Sequence, residues 1–212
     1  MKKALTHLKK DPVLRTIIER VGPYAMEFRE PSFSTLVRSI VYQQLSGKVA
    51  SVILGRLVAA MPEGQLTPAN ILRLRPERMR KLGLSRAKTE YIRDLARRTA
   101  NGEVQFEGLL DMADDAVIEH LTQVKGVGVW TAHMFLMFSL QRPDIFPVGD
   151  LGIQMAIRRH YLTKTKNGSS KRRKFKPLKP KQMERVARCW APYRSVACWY
   201  LWRSLDVKTP GS

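Results

Sequence analysis

The sequence predicts an all-α fold of about ten helices. Three observations lead there. Apolar residues recur at three- and four-residue intervals along most of the chain. Prolines and small hydroxyl or acid residues stand where helices start. No stretch alternates apolar with polar residues as a half-buried strand does.

The elements follow in order. Phe33, Leu36, Val37, Ile40, Val41 and Leu45 share one helical face, which predicts a helix over 33–45 with Ser32 or Ser34 at its start. Ser46 can cap a second helix over 48–60, with Pro62 just beyond it. Thr67-Pro68 and Arg75-Pro76 place prolines in the first turns of two short helices. Gly83 breaks the chain, and Ser85 can cap a helix over 86–100 that stops near Gly102. Asp114 can cap 115–122. Further helices are expected over 129–140, from about Leu151 to Tyr161, and over about 180–190 and 193–204.

Composition narrows the class. The chain has 212 residues, 44% of them hydrophobic, and a formal net charge of +20. This length fits one domain, or two small lobes, with a core that needs no disulfide or structural metal. Wholesale disorder and collagen-like repeats are excluded. A charge surplus of this size repels itself and makes sense beside a polyanion, either nucleic acid or an anionic membrane. The longest mainly apolar stretch, Val129 to Leu140, is too short to span a bilayer and contains Thr131, His133 and Ser139. The opening MKKALTHLKKD has no apolar centre and does not read as a secretory signal. Cys189 and Cys198 are the only cysteines, so free thiols in a reducing intracellular compartment are expected. They cannot by themselves supply a four-cysteine iron–sulfur cluster. The four histidines show no metal-ligand spacing. Nine basic residues and no acidic one lie between Tyr161 and Lys181, which reads as a basic insertion over about 163–181. Its phosphate-binding reading is favoured over a merely solvated loop.

The segment LTQVKGVGVWTA, 121–132, joins two helices through Gly126 and Gly128 and marks a hairpin over about 115–140. Glycine permits the tight turn and leaves peptide N–H groups bare. The next helix begins at once, and its first N–H groups lack internal partners and can hold a phosphate. Lys125, Gly126, Val127, Gly128 and Thr131 are the backbone-gripping candidates, with Arg86 and Lys88 beside the Ser85 cap. An ordinary corner between helices is the alternative reading of G-V-G alone. A dinucleotide fingerprint is rejected, since no strand precedes it and the third glycine is missing.

Five segments in order carry a family resemblance. They are IVYQQLS (40–46), LSRAKT (84–89), VKGVGVWTA (124–132), DIFPVGDLG (144–152) and WAPYRSVA (190–197) followed by Trp202. Together they resemble the helix–hairpin–helix (HhH-GPD) DNA glycosylases, specifically the 3-methyladenine DNA glycosylase II, or AlkA-type, branch. The resemblance implies a two-lobed helical fold whose cleft holds a flipped base. The β-rich N-terminal domain of larger relatives is expected to be missing. It implies that Asp150 is the catalytic carboxylate and that Trp130 and Trp202 are aromatic walls of the base pocket. Gln43, Gln44 and Leu45 lie where the family inserts a side chain into the duplex. The carbonyls of Thr122, Val124 and Val127 match a site able to hold Na+ or K+ against DNA phosphate. Met134 and Leu151 depart from the aromatic residues of better-known members, which implies a more open pocket.

The chemistry is consistent with these residue types. A purine alkylated at N3 or N7 already carries positive charge and leaves without an acid. One carboxylate then suffices to stabilise the oxocarbenium character of the sugar. Bifunctional relatives, as the resemblance implies, place a Schiff-base lysine where this chain has Trp130, and an indole cannot form that imine. The expectation is a monofunctional glycosylase of base excision repair. It is expected to act as a monomer on double-stranded DNA with alkylated bases, without a chemical cofactor. Other readings are a non-catalytic helix–hairpin–helix DNA binder, a basic RNA-binding or architectural protein, and a glycosylase for deaminated or oxidised bases.

Overall fold

The computed structural model describes residues 1–162 and 177–206; residues 163–176 of the expected basic insertion lie outside the described residues. Among the described residues the chain is helical with no strand, in twelve α-helices and a few single turns. It divides into two compact units.

One unit is 28–141. It holds α3 (Phe33–Tyr42), α4 (Gly47–Ala59), α5 (Pro68–Arg73), α6 (Pro76–Lys81), α7 (Arg86–Ala100), α8 (Asp114–Thr122) and α9 (Val129–Phe138). The starts are set by local chemistry. Ser32, Ser46, Thr67 and Ser85 each accept a backbone N–H two or three residues into the helix that follows, worth about 1 kcal/mol apiece. Pro68 and Pro76 occupy first turns, where the missing N–H costs nothing. α7 is the central strut, packed against α3, α5 and α6. Its buried Ile92, Leu95 and Ala96 meet the apolar face of α3, where Leu36, Val37, Ile40 and Val41 are fully buried. Asp94 on the same strut is buried and bonds to Arg98 at 3.1 Å and to the Lys125 N–H at 3.0 Å.

The other unit is 1–27 with 142–212. Its described helices are α1 (Lys2–Leu8), α2 (Pro12–Val21), α10 (Leu151–Ile157), α11 (Pro180–Ala187) and α12 (Arg194–Asp206). α12 is buried from Ser195 through Leu201, apolar round nearly its whole circumference, and α2 and α10 pack on it. A helix of that kind belongs at the centre of a unit. Asp144 ties its start down. The Arg194 guanidinium donates to both Asp144 oxygens, at 2.8 and 2.7 Å, and the Arg194 N–H donates at 3.1 Å.

The sequence expectations differ from the structure at three points. α1 and α2 were not anticipated, although Asp11 caps α2 through the N–H groups of Val13 and Leu14 with Pro12 at its first position. The motif was present, but short apolar spacing in a basic segment hid it. α3 ends at Tyr42, not at residue 45, because the chain leaves the helix at Gln43 (ψ 130°) and Gln44 turns left-handed at φ 54°. Ala113, not Asp114, is the cap residue of α8. No helix among the described residues is long and apolar enough to cross a membrane.

Two acids, Asp94 buried and Asp144 half-buried, generate a pH dependence. Burial pushes Asp144 up, but the Arg194 side chain, N–H and charge outweigh that and hold it below its ordinary 3.8. For Asp94, the Lys125 N–H and the charges of Arg98 and Arg97 likewise outweigh burial. A depressed native value stabilises the fold above the ordinary value, and the contribution is lost as pH falls through the native one. Melting followed by circular dichroism should therefore give a Tm that falls below about pH 4. Asp144→Asn and Asp94→Asn should each lower Tm at pH 7 and flatten that fall.

Candidate active site and nucleic-acid interface

Asp150 follows a loop that the start of α12 holds in place. Ser195 Oγ donates to the Arg142 carbonyl at 2.7 Å and accepts the Ile145 N–H at 2.9 Å, and the Ser195 N–H donates to the Pro143 carbonyl. From there the chain runs through Pro147 and Gly149 to Asp150 at the start of α10. Asp150 is buried, with 8% of its surface exposed. Its Oδ1 accepts the Ile153 N–H and the Trp202 Nε1–H, both at 2.8 Å. Asp150 is thus both helix cap and the partner of an indole on α12. Gly152 makes this approach feasible: a Cβ there would lie 2.9 Å from Trp202 Cδ1 and 3.1 Å from Asp150 Oδ1. Cys198 on α12 is buried and burial pushes its thiol well up, so it is no thiolate nucleophile.

The hairpin belongs to the other unit. Gly126 turns it at φ 75°, and a Cβ at that position would overlap the Tyr91 ring. Its backbone is held from outside as well as from within. The Lys125 N–H goes to Asp94, the Val127 N–H goes to the Val124 carbonyl at 3.0 Å, and the Gly126 carbonyl accepts Gln43 Nε2 at 2.9 Å. Gln43 Nε2 also lies 3.3 Å from Thr131 Oγ1. Gly128 precedes α9 and has no side chain of its own to cap the first amides of that helix. Those amides are what an anion meets at a helix start.

A cavity of about 270 Å³ lies beside this hairpin. α9 lines it with Trp130, Thr131, Met134 and Phe135, and α3 lines it with Arg38 and Tyr42. That volume falls just below the range of small-molecule sites, which run from about 300 Å³. The Arg38 guanidinium lies 4.0 Å over the Tyr42 ring. Trp130 is 44% exposed, an unusual condition for an indole on an apolar helix.

Residues 37–180 match the HhH-GPD superfamily of base excision DNA repair proteins. The chain belongs to that family. It is 34% identical to DNA-3-methyladenine glycosylase 1 of Schizosaccharomyces pombe, over 95% of this chain and 86% of that protein. Among solved structures, the S. pombe 3-methyladenine DNA glycosylase Mag1 in complex with abasic DNA has a TM-score of 0.83 at 32% identity, covering 97% of each chain. The DNA-3-methyladenine glycosidase of Bacillus halodurans has a TM-score of 0.76 at 37% identity, covering 93% of this chain and 86% of that one.

In this HhH-GPD protein the expected site residues fall into distinct roles. Gln44 and Leu45 are exposed on the α3–α4 loop, and Lys125, Gly126 and Gly128 are exposed on the hairpin. Lys125 Nζ sits 3.2 Å from Glu90, a half-exposed pair of little energetic weight. Arg86 is exposed at the start of α7. Thr131 and Val127 were expected at the DNA surface, but both side chains are buried, because the hairpin must pack on its own helices to hold its shape. Lys88 was expected to face phosphate; its Nζ instead donates to the Val41 and Gln43 carbonyls. Trp202 was expected as a pocket wall, and the structure gives its indole N–H to Asp150. Asp94, Tyr91 and Gly152 were missed. Asp94 reads in the sequence as one end of an i,i+4 pair with Arg98, and nothing local reveals its bond to residue 125. The Thr122, Val124 and Val127 carbonyls are oxygen donors of the kind an alkali cation takes. Of these, the Val124 carbonyl already accepts the Val127 N–H within the turn.

Gly126→Ala should break this arrangement. The left-handed φ and the Tyr91 overlap together predict a loss of about 2 kcal/mol or more. Thermal melts should show the destabilisation, and binding to undamaged duplex DNA at constant salt should weaken with it.

Proposed function

We propose that this protein is a monofunctional DNA glycosylase of base excision repair. It hydrolyses the N-glycosidic bond of alkylated purines, of the 3-methyladenine and 7-methylguanine type, in duplex DNA by base flipping. The observation that carries the proposal is the Asp150 carboxylate, buried and aimed by two N–H donors at 2.8 Å, in a chain of this family.

The steps follow from the groups present. The hairpin amides and the cationic surface hold the DNA backbone without reading sequence. The α3–α4 loop enters the duplex, and the damaged base leaves the stack at a cost of a few kcal/mol. The exposed face of Trp130 and the cavity beside it receive the base, and cation–π attraction favours an alkylated, positively charged purine. Asp150 stabilises the sugar as positive charge develops on C1′, and water completes the displacement. The products are the free base and an abasic site. Trp202 is a positioning residue that fixes where the carboxylate sits. The reaction needs no cofactor, because the leaving base carries its own charge. A monovalent cation held by the Thr122, Val124 and Val127 carbonyls would add a positive charge beside DNA phosphate. One chain supplies carboxylate, cavity and hairpin, so the enzyme acts as a monomer wherever the genome lies.

Asp150→Asn keeps an oxygen to cap α10 and removes the charge. Base release from a defined 7-methylguanine duplex should fall by about 10²-fold or more, with melting temperature and DNA affinity close to wild type. Wild-type turnover by that variant would end the proposal. Water as nucleophile also predicts that borohydride traps no covalent complex with damaged DNA. A trapped complex would instead mark an amine nucleophile and strand cleavage.

A further inference from the structure

The α3–α4 loop leaves its helix abruptly. The last carbonyls of α3 have no N–H partners within the helix, and Gln44 turns left-handed at φ 54° without being glycine, a strained conformation. Leu45 follows, 38% exposed. A loop of this shape needs support from outside. Lys88 provides it: its Nζ lies 2.8 Å from the Val41 carbonyl and 2.6 Å from the Gln43 carbonyl, more than forty residues away in sequence.

The placement is costly for α7 and favourable for the loop. Lys88 stands in the first turn of α7, where its own N–H is the one that Ser85 caps. A cation there opposes the helix dipole. Burial also pushes its amine below its ordinary value. The compensation lies at the other end, because the same charge sits against the negative C-terminus of α3. Gln43 completes the frame with its side-chain bond to the hairpin at Gly126. The loop is thus anchored by its backbone to α7 and by a side chain to the hairpin.

We propose that Lys88 is a positioning residue for base flipping, holding the α3–α4 loop rigid against the duplex while its exposed side chains fill the space the damaged base leaves. This rests on the glycosylase reading above. Flipping works against stacking and pairing of a few kcal/mol, and a loop free to yield would transmit less of that work.

The test uses the full chain, with Lys88→Met removing the donors but keeping the stem, and Lys88→Arg keeping charge and donors. Single-turnover release of 7-methylguanine is measured from two duplexes, one with the lesion paired to cytosine and one with it opposite an abasic-site analogue. The second retains the phosphate contacts and removes most of the work of flipping. Lys88→Met should lose about tenfold or more on the paired lesion and no more than about twofold on the unpaired one. Lys88→Arg should recover part of the paired rate. A 2-aminopurine next to the lesion should brighten less on binding Lys88→Met than on binding wild type. The salt dependence of binding should be unchanged. Equal losses on both duplexes would overturn the proposal. So would a salt slope lowered by about one, the mark of a lost phosphate contact. If Lys88→Met does not fold, Lys88→Arg decides the matter by the same ratio, since its altered reach must cost more on the paired lesion. A wild type that releases no base from either duplex defeats the glycosylase reading and the Lys88 role together. An active wild type with equal losses defeats the Lys88 role alone.

Discussion

The chemistry proposed for this protein depends on where one carboxylate oxygen is held. Asp150 Oδ1 accepts two N–H groups, one from the turn it caps and one from an indole on α12. Either alone would leave the side chain a rotor. Together they fix it, and each partner is fixed in turn. The α10 amide is set by the helix. Trp202 is set by the most buried helix of its unit and by the missing Cβ of Gly152. The bidentate Arg194–Asp144 pair and the Ser195 bonds pin the other end of the same loop. A group meant to meet developing charge gains most when it need not reorganise, and this scaffold meets that condition.

The elements proposed to face DNA show a related economy in a strongly basic protein. The hairpin and the α3–α4 loop are irregular backbone, with polar groups that must be satisfied. A few side chains, buried or half-buried, do this. Asp94 takes the Lys125 amide, Gln43 takes the Gly126 carbonyl, and Lys88 takes two carbonyls of the loop. None of these contacts is local in sequence. They leave the exposed faces of Leu45, Gly128 and Trp130 available while the backbone behind them stays in one shape. Thr131, which is buried, and Lys88, whose amine turns back to two carbonyls, were expected to touch DNA and belong to this supporting layer.

Helices could be read from the sequence where caps and apolar spacing coincide, as at Ser32, Ser46, Thr67 and Ser85. The hairpin was legible from two glycines in a five-segment pattern. Asp150 was legible through the resemblance. Gln43 as a strut, Asp94 as an anchor and Trp202 as a donor to Asp150 were not legible. Each rests on contacts between residues 31 to 88 positions apart. Periodicity and spacing report which face of a helix is apolar, not which polar atom reaches another helix.

The sequence alone therefore determined an all-helical basic chain, its turn at Gly126, and the residue types suited to releasing an alkylated base. Caps and turns are local free-energy choices, decided within four or five residues. Only the tertiary structure decided which side chains face outward and which hold the site together. That choice depends on where helices far apart in the chain bring their unpaired N–H and C=O groups, and no local energy records it.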